Sequence, residues 1–237
     1  MLEVKNLTKS IGGKMIIHPT SFTVNQGEFV TVLGPNGAGK STLFRLLSLV
    51  TKPSSGEICI AGKKVIHTDA LMRREIGVIS HHTFLYDNLS AYENLRFYGQ
   101  AYQVPELERR IKEVLRYVGL QLYIHDPVRT YSRGMQQRLS IARAILHQPS
   151  LLFLDEPYTG LDQEAIQILN QVLETLHQEQ RTLFMITHNY EDGLALSNRL
   201  FVINRGSFVY DAQTNGIQAD EFRRVYLQLV GSEQGNV

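Results

Sequence analysis

The run GPNGAGKST, residues 34 to 42, constrains this chain more than any other stretch. It has the spacing G-x-x-x-x-G-K-[ST], it follows the strand-like FVTVL, and it opens the helix-like GKSTLFRLLSLV. A strand that turns into a helix through such a loop begins an α/β layer. The same run dictates a chemistry. Backbone N–H groups converge at a glycine-rich helix start, and Gly37 and Gly39 let that backbone approach a polyphosphate closely. Gly34, Pro35, Asn36, Gly37, Ala38, Gly39, Lys40, Ser41 and Thr42 are therefore the expected phosphate-binding set. Lys40 would set its ammonium between the β- and γ-phosphates, and the Ser41 hydroxyl is a hard oxygen donor for Mg²⁺. The alternative is a glycine turn without chemistry. About one chain in a hundred of this length carries the bare pattern by chance at average residue frequencies. The strand–turn–helix setting lowers that further.

A second motif completes the first. SLLFLDEP, residues 150 to 157, is an apolar strand that delivers two carboxylates at its end. Asp155 is the expected holder of Mg²⁺ through water, and Glu156 the expected general base for an attacking water. From residue 149 onward strands and helices alternate, as SLLFLDEP, QEAIQILNQVLETLHQEQ and RTLFMITH, which predicts a parallel sheet with crossover helices. LFVINRGSFVYD reads as a hairpin. Residues 1 to about 80 are strand-rich, and residues 84 to 148 carry apolar residues at helical spacing, with Pro105 at a first-turn position.

Bulk properties narrow the function classes. With 24 basic and 23 acidic residues the net charge is +1, so no long-range attraction to nucleic acid is expected. The single cysteine, Cys59, cannot form an internal disulfide and fits a reducing compartment. MLEVKNLTKS lacks the apolar core of a signal peptide, and LFRLLSLV is too short to span a bilayer and is interrupted by Arg45.

Between the two motifs lies YSRGMQQRLSIARAILHQPSLLFLDEP, a small-residue turn leading into an apolar helix, a loop and the carboxylate strand. This arrangement resembles the ATP-binding-cassette ATPases, whose signature is usually Leu-Ser-Gly-Gly-Gln, and the resemblance covers almost the whole chain. It implies an α/β fold, a P-loop NTPase cassette with a mixed-sheet RecA-like core, an antiparallel β subdomain and a helical signature subdomain. One domain is expected over 1–237, with the β-rich and P-loop core at 1–81, the helical subdomain at about 82–148 and the rest of the core at 149–237. It further implies two protomers facing head to tail, a homodimer or a pseudo-symmetric heterodimer. ATP is then held between one P-loop and the partner's signature turn, here Ser132, Arg133, Gly134 and Met135. Asp162 in TGLD matches the loop that links the two sites, and His188 in MITH matches the switch histidine at the γ-phosphate. In this sequence Arg133 replaces the first signature glycine and Met135 the glutamine.

Two further positions depart from the family pattern. His81 stands where a glutamine usually reaches the Mg²⁺ and the attacking water. Adjacent side chains on an extended segment point to opposite sides, so His81 and His82 do not suit one metal ion. His81 is expected to make turnover or coupling pH-sensitive near 6.5. Ile11 occupies the place of the aromatic that stacks on adenine. The resemblance also implies Mg²⁺ with ATP as substrate, separate transmembrane permease subunits, and a peripheral cytoplasmic position on the inner face of the membrane. Phe84, Leu85 and Tyr86 are expected near the groove that receives those subunits. The histidine at 81, ENLRFYG and YSRGMQQRLSIARA are most similar to the haem exporter ATPase subunit of cytochrome c maturation. Other exporters or importers, and soluble non-transport cassettes, are the alternatives.

Overall fold

Along the central strands successive side chains enter opposite cores, and that alternation builds the layers. In the computed structural model, which describes residues 1–66, 72–80 and 82–231, β1 (Leu2–Ile11) and β2 (Lys14–Val24) lead into β3 (Phe29–Leu33), the P-loop and α1 (Lys40–Leu47). Then come β4 (Ser55–Ile60), β5 (Lys63–Lys64), β6 (Ile76–Ile79) and three helices, α2 (Ala91–Tyr102), α3 (Leu107–Tyr117) and α4 (Arg133–Ile145). The chain closes with β7 (Leu151–Asp155), α5 (Gln163–Gln178), β8 (Thr182–Ile186), α6 (Tyr190–Leu196), β9 (Arg199–Asn204), β10 (Ser207–Gln213) and α7 (Ala219–Gly231). β7 and β8 are buried at every residue. Leu151, Phe153, Phe184 and Ile186 face a core shared with α1, β1 and β2. Leu152, Leu154, Leu183 and Met185 face the opposite core, shared with α2 to α5. Period-2 side-chain alternation in a doubly covered strand has this consequence.

The main sheet has the order β10–β9–β3–β8–β7–β6. Its pairs are parallel except the β9–β10 hairpin, so both the predicted crossover sheet and the predicted hairpin are present. A second sheet, β2–β1–β4–β5, is antiparallel. The fold is the expected cassette of mixed sheet, antiparallel sheet and helices. β2 (KMIIHPTSFTV) runs through Pro19 without ending there. β2 is an edge strand, where proline loses no ladder bond that a neighbour needs. Pro105 also differs slightly: α3 begins at Leu107 after the left-handed Glu106, which leaves the proline just ahead of the helix. No helix among the described residues is long and apolar enough to cross a membrane.

Candidate nucleotide site

Three loops meet beyond the carboxyl ends of β3, β7 and β8, the usual place for a ligand crevice in a parallel sheet. They bound a cleft of about 480 Å³ lined by Asn36, Gly37, Gly39, Lys40, Ser41 and Thr42, by Asp155 and Glu156, and by Ile16. The P-loop owes its shape to close backbone contact. A Cβ on Gly34 would lie 2.3 Å from the Ile203 carbonyl oxygen, so only glycine lets the loop leave β3 beside β9. Gly39 caps α1 with φ 104°, and no side chain accepts from the first turn. The orphan N–H groups of that turn are thus turned to the cleft without a protein side chain in the way. The hairpin after β9 braces the loop from behind, with Gly206 N donating to the Ala38 carbonyl at 2.8 Å.

Lys40 is buried and donates through Nζ to the carbonyls of Gly34 (2.6 Å) and Pro35 (3.0 Å). Burial pushes its ammonium below the usual lysine range, opposed by the Glu156 and Asp155 carboxylates. A buried cation beside two carboxylates is suited to a polyanion accompanied by a divalent ion. Asp155 ends β7 and is itself buried. Glu156 follows it at φ 47°, a conformation that costs a non-glycine residue. Its N–H donates to the Ile186 carbonyl at 2.8 Å, which fixes it against β8. Its Oε2 accepts from His188 Nδ1 at 2.9 Å and from Thr187 Oγ1 at 3.2 Å. Residues from two strand ends therefore converge on one carboxylate oxygen at the cleft.

The remaining sequence candidates lie elsewhere. Ser132 caps α4, accepting from Met135 N at 3.2 Å, and neither Arg133, Gly134 nor Met135 lines the cleft of its own chain. Asp162 caps α5, accepting from Ala165 N at 2.8 Å. Ile11 is exposed at the end of the β1–β2 hairpin, whereas Ile16 on the returning strand lines the cleft. Ile16 carries no motif; only the pairing of the hairpin brings it there. His81 lies outside the described residues. His82 is exposed with its ring 6.3 Å from that of Phe84, and among the described residues no cluster of three metal-ligating side chains exists. Phe84, Tyr86 and Phe97 are exposed, while Leu85, Tyr92 and Tyr98 pack on the helical core. Sequence reading also passed over Arg143. Its Nη2 donates to the Val78 carbonyl at 2.7 Å, and its guanidinium sits 5.5 Å from the Phe84 ring and 5.3 Å from the Tyr98 ring. It ties the end of β6 to the helical segment.

Residues 17–159 match the family model described as "ABC transporter". The chain belongs to the ABC transporter family. It is an ATP-binding, ATP-hydrolysing cassette of that family. It is 35% identical over 211 residues to the linearmycin resistance ATP-binding protein LnrL of Bacillus subtilis, a match covering 88% of this chain and 68% of that protein. It is 33% identical over 208 residues to the ABC transporter ATP-binding protein NatA of the same organism, covering 86% and 85%. Among solved structures, the cassette resembles a dimeric post-hydrolysis state of the ATP-binding cassette MJ0796 bound to ADP and Pi. That match has a TM-score of 0.81 and 27% identity, over 92% of this chain and all of that one. A structure described as the ATP-binding subunit of an ABC transporter matches with a TM-score of 0.87 and 28% identity, over 96% and 98%.

Proposed function

We propose that this cassette works in a head-to-tail pair, bound to separate transmembrane subunits on the inner face of the membrane, and powers export by hydrolysing ATP. The observation that carries the hydrolytic assignment is the meeting of Glu156 and His188 at the cleft of the P-loop. In this reading the P-loop N–H groups and Lys40 hold the β- and γ-phosphates. Glu156 orients a water in line with the γ-phosphorus and accepts its proton as the O–P bond forms and the bond to ADP breaks. His188 holds that carboxylate in place. Ser41 and Asp155 provide hard oxygen donors on one cleft, which fits Mg²⁺ carried in with the substrate. When bound, the ion neutralises charge on the phosphate oxygens. Ser132 and Gly134 at the start of α4 would complete the partner's site, and Asp162 would link the two. Ile11 would lie at the adenine and His81 near the attacking water; a His81→Gln variant should then lose the pH dependence of turnover near 6.5.

The exposed Phe84, Tyr86 and Phe97 beside the end of β6 support docking of a membrane subunit there. The cargo is a finer matter. Haem rests on the sequence resemblance alone. The named relatives concern linearmycin resistance, Nod factor export and spermidine/putrescine import, and favour no one cargo. The test is to recover a tagged Glu156→Gln variant from detergent-solubilised membranes of its host. A polytopic membrane protein recovered with it supports the transporter reading and names the cargo class. Recovery of soluble proteins or nucleic acid alone overturns that reading in favour of a soluble cassette machine.

A further inference from the structure

Arg133 holds the first helical position of α4, directly after the cap residue Ser132. A positive charge at a helix N-terminus is opposed by the helix dipole. Local energetics thus give no reason for an arginine here. Its tertiary surroundings do. A Cβ built on Gly160 would lie 2.5 Å from Arg133 Cζ, 2.7 Å from Nη2 and 2.8 Å from Nη1. Three near-equal distances mean that the guanidinium lies flat over the Gly160 Cα. Gly160 has φ 75°, so the residue that turns the loop is also the one that leaves room for the guanidinium.

The next residue makes a second contact. A Cβ on Gly134 would lie 3.3 Å from Asp162 Oδ2, while Asp162 Oδ1 caps α5. Tyr158, at the start of the same loop, donates its hydroxyl to Asn170 Oδ1 on α5 at 2.7 Å. Residues 158–162 are therefore held by α5 at both ends and covered by α4 at the turn. We infer that Arg133 is a positioning residue that clamps the 158–162 loop to the first turn of α4, so that both meet the partner copy's nucleotide as one body. A planar group is what the contact requires: guanidinium stacks flat over a bare Cα, whereas an ammonium on a flexible stem does not. The consequence for the partner's nucleotide rests on the paired-cassette reading above.

Two measurements test the clamp. The first is hydrogen exchange on the full chain without nucleotide, comparing wild type, Arg133→Ala and Arg133→Lys. Alanine removes a charge that opposes the dipole, so α4 itself is not weakened. Amides of residues 159–165 should exchange several-fold faster in both variants, with the rest of α5 unchanged. Equal exchange in wild type and variants overturns the clamp. The second uses the Glu156→Gln background and reads the ATP concentration at which the chain dimerises. Gly160→Ala should raise it, and adding Arg133→Ala should partly restore it, because the three atoms nearest the new methyl group all belong to Arg133, while the strain of alanine at φ 75° remains. Strictly additive losses overturn the clamp. If Glu156→Gln alone stays monomeric at saturating ATP, the paired-cassette reading fails, and the exchange comparison still decides the clamp.

Discussion

Two helix starts in this cassette are built in opposite ways. At α1 the cap is Gly39, left-handed, with no side chain accepting from the first turn. At α4 the cap is Ser132, whose hydroxyl accepts from Met135 N, and Arg133 adds a positive charge beside it. The first start leaves its N–H groups to a ligand and surrounds them with Lys40, Asp155 and Glu156 from its own chain. The second satisfies part of its own need and does not line the nucleotide cleft of its own chain. The contrast is between a helix start that lines the nucleotide cleft of its own chain and one that does not; in the paired-cassette proposal the second would meet the partner's nucleotide.

The largest break in that comparison would come from Glu156→Gln. Turnover should fall about a hundred- to ten-thousandfold while ATP binding persists, read by phosphate release and by nucleotide titration. Retained turnover would move the general base away from the α1 side. The far end of α4 provides the next test. Burial pushes the His147 imidazole down to about 4 from its ordinary 6.5, with its Nε2 against the Ile76 carbonyl. The unfolded chain takes up that proton first as pH falls. Stability is therefore full above pH 6.5 and is lost between 6.5 and about 4, by about 3 kcal/mol in all. Urea unfolding across this range should show the slope, and His147→Gln should flatten it.

Lys40→Ala should weaken ATP binding by about 2 kcal/mol, roughly thirtyfold, in titrations of the dilute chain. Ser132→Ala should leave that same titration unchanged if α4 serves only a partner, because its effect on an isolated chain is the lost cap. That loss is about 1 kcal/mol, a drop of about 2–4 °C in Tm. A Ser132→Ala chain that binds ATP as poorly as Lys40→Ala would erase the distinction between the two helix starts.

The cleft was legible where its parts are contiguous in the chain. Residues 34–42 and 155–156 each carry their chemistry within one motif, because a strand end, a tight turn and a helix start are local structures. The family, the parallel sheet and the hairpin followed from patterns of the same short range. Pro19 lies inside β2, which an edge position permits and a central one does not, and only the sheet order shows which position β2 holds.

What the sequence alone determined is therefore the type of each part: a glycine-rich loop between strand and helix, a strand ending in two carboxylates, an apolar helix after a small-residue turn, and an ATP-hydrolysing cassette. The tertiary structure decided which parts touch. It put Ile16 on the cleft wall, Gly206 against Ala38, His188 on the Glu156 carboxylate and Arg133 across Gly160. Ile16 and Gly206 belong to no motif, and no pattern links Arg133 to Gly160. The resemblance puts Glu156 and His188 at one γ-phosphate, but their hydrogen bond comes only from the neighbouring ends of β7 and β8. The partners in these contacts are chosen by strand order and by the space a glycine leaves, and both exist only once the layers have packed.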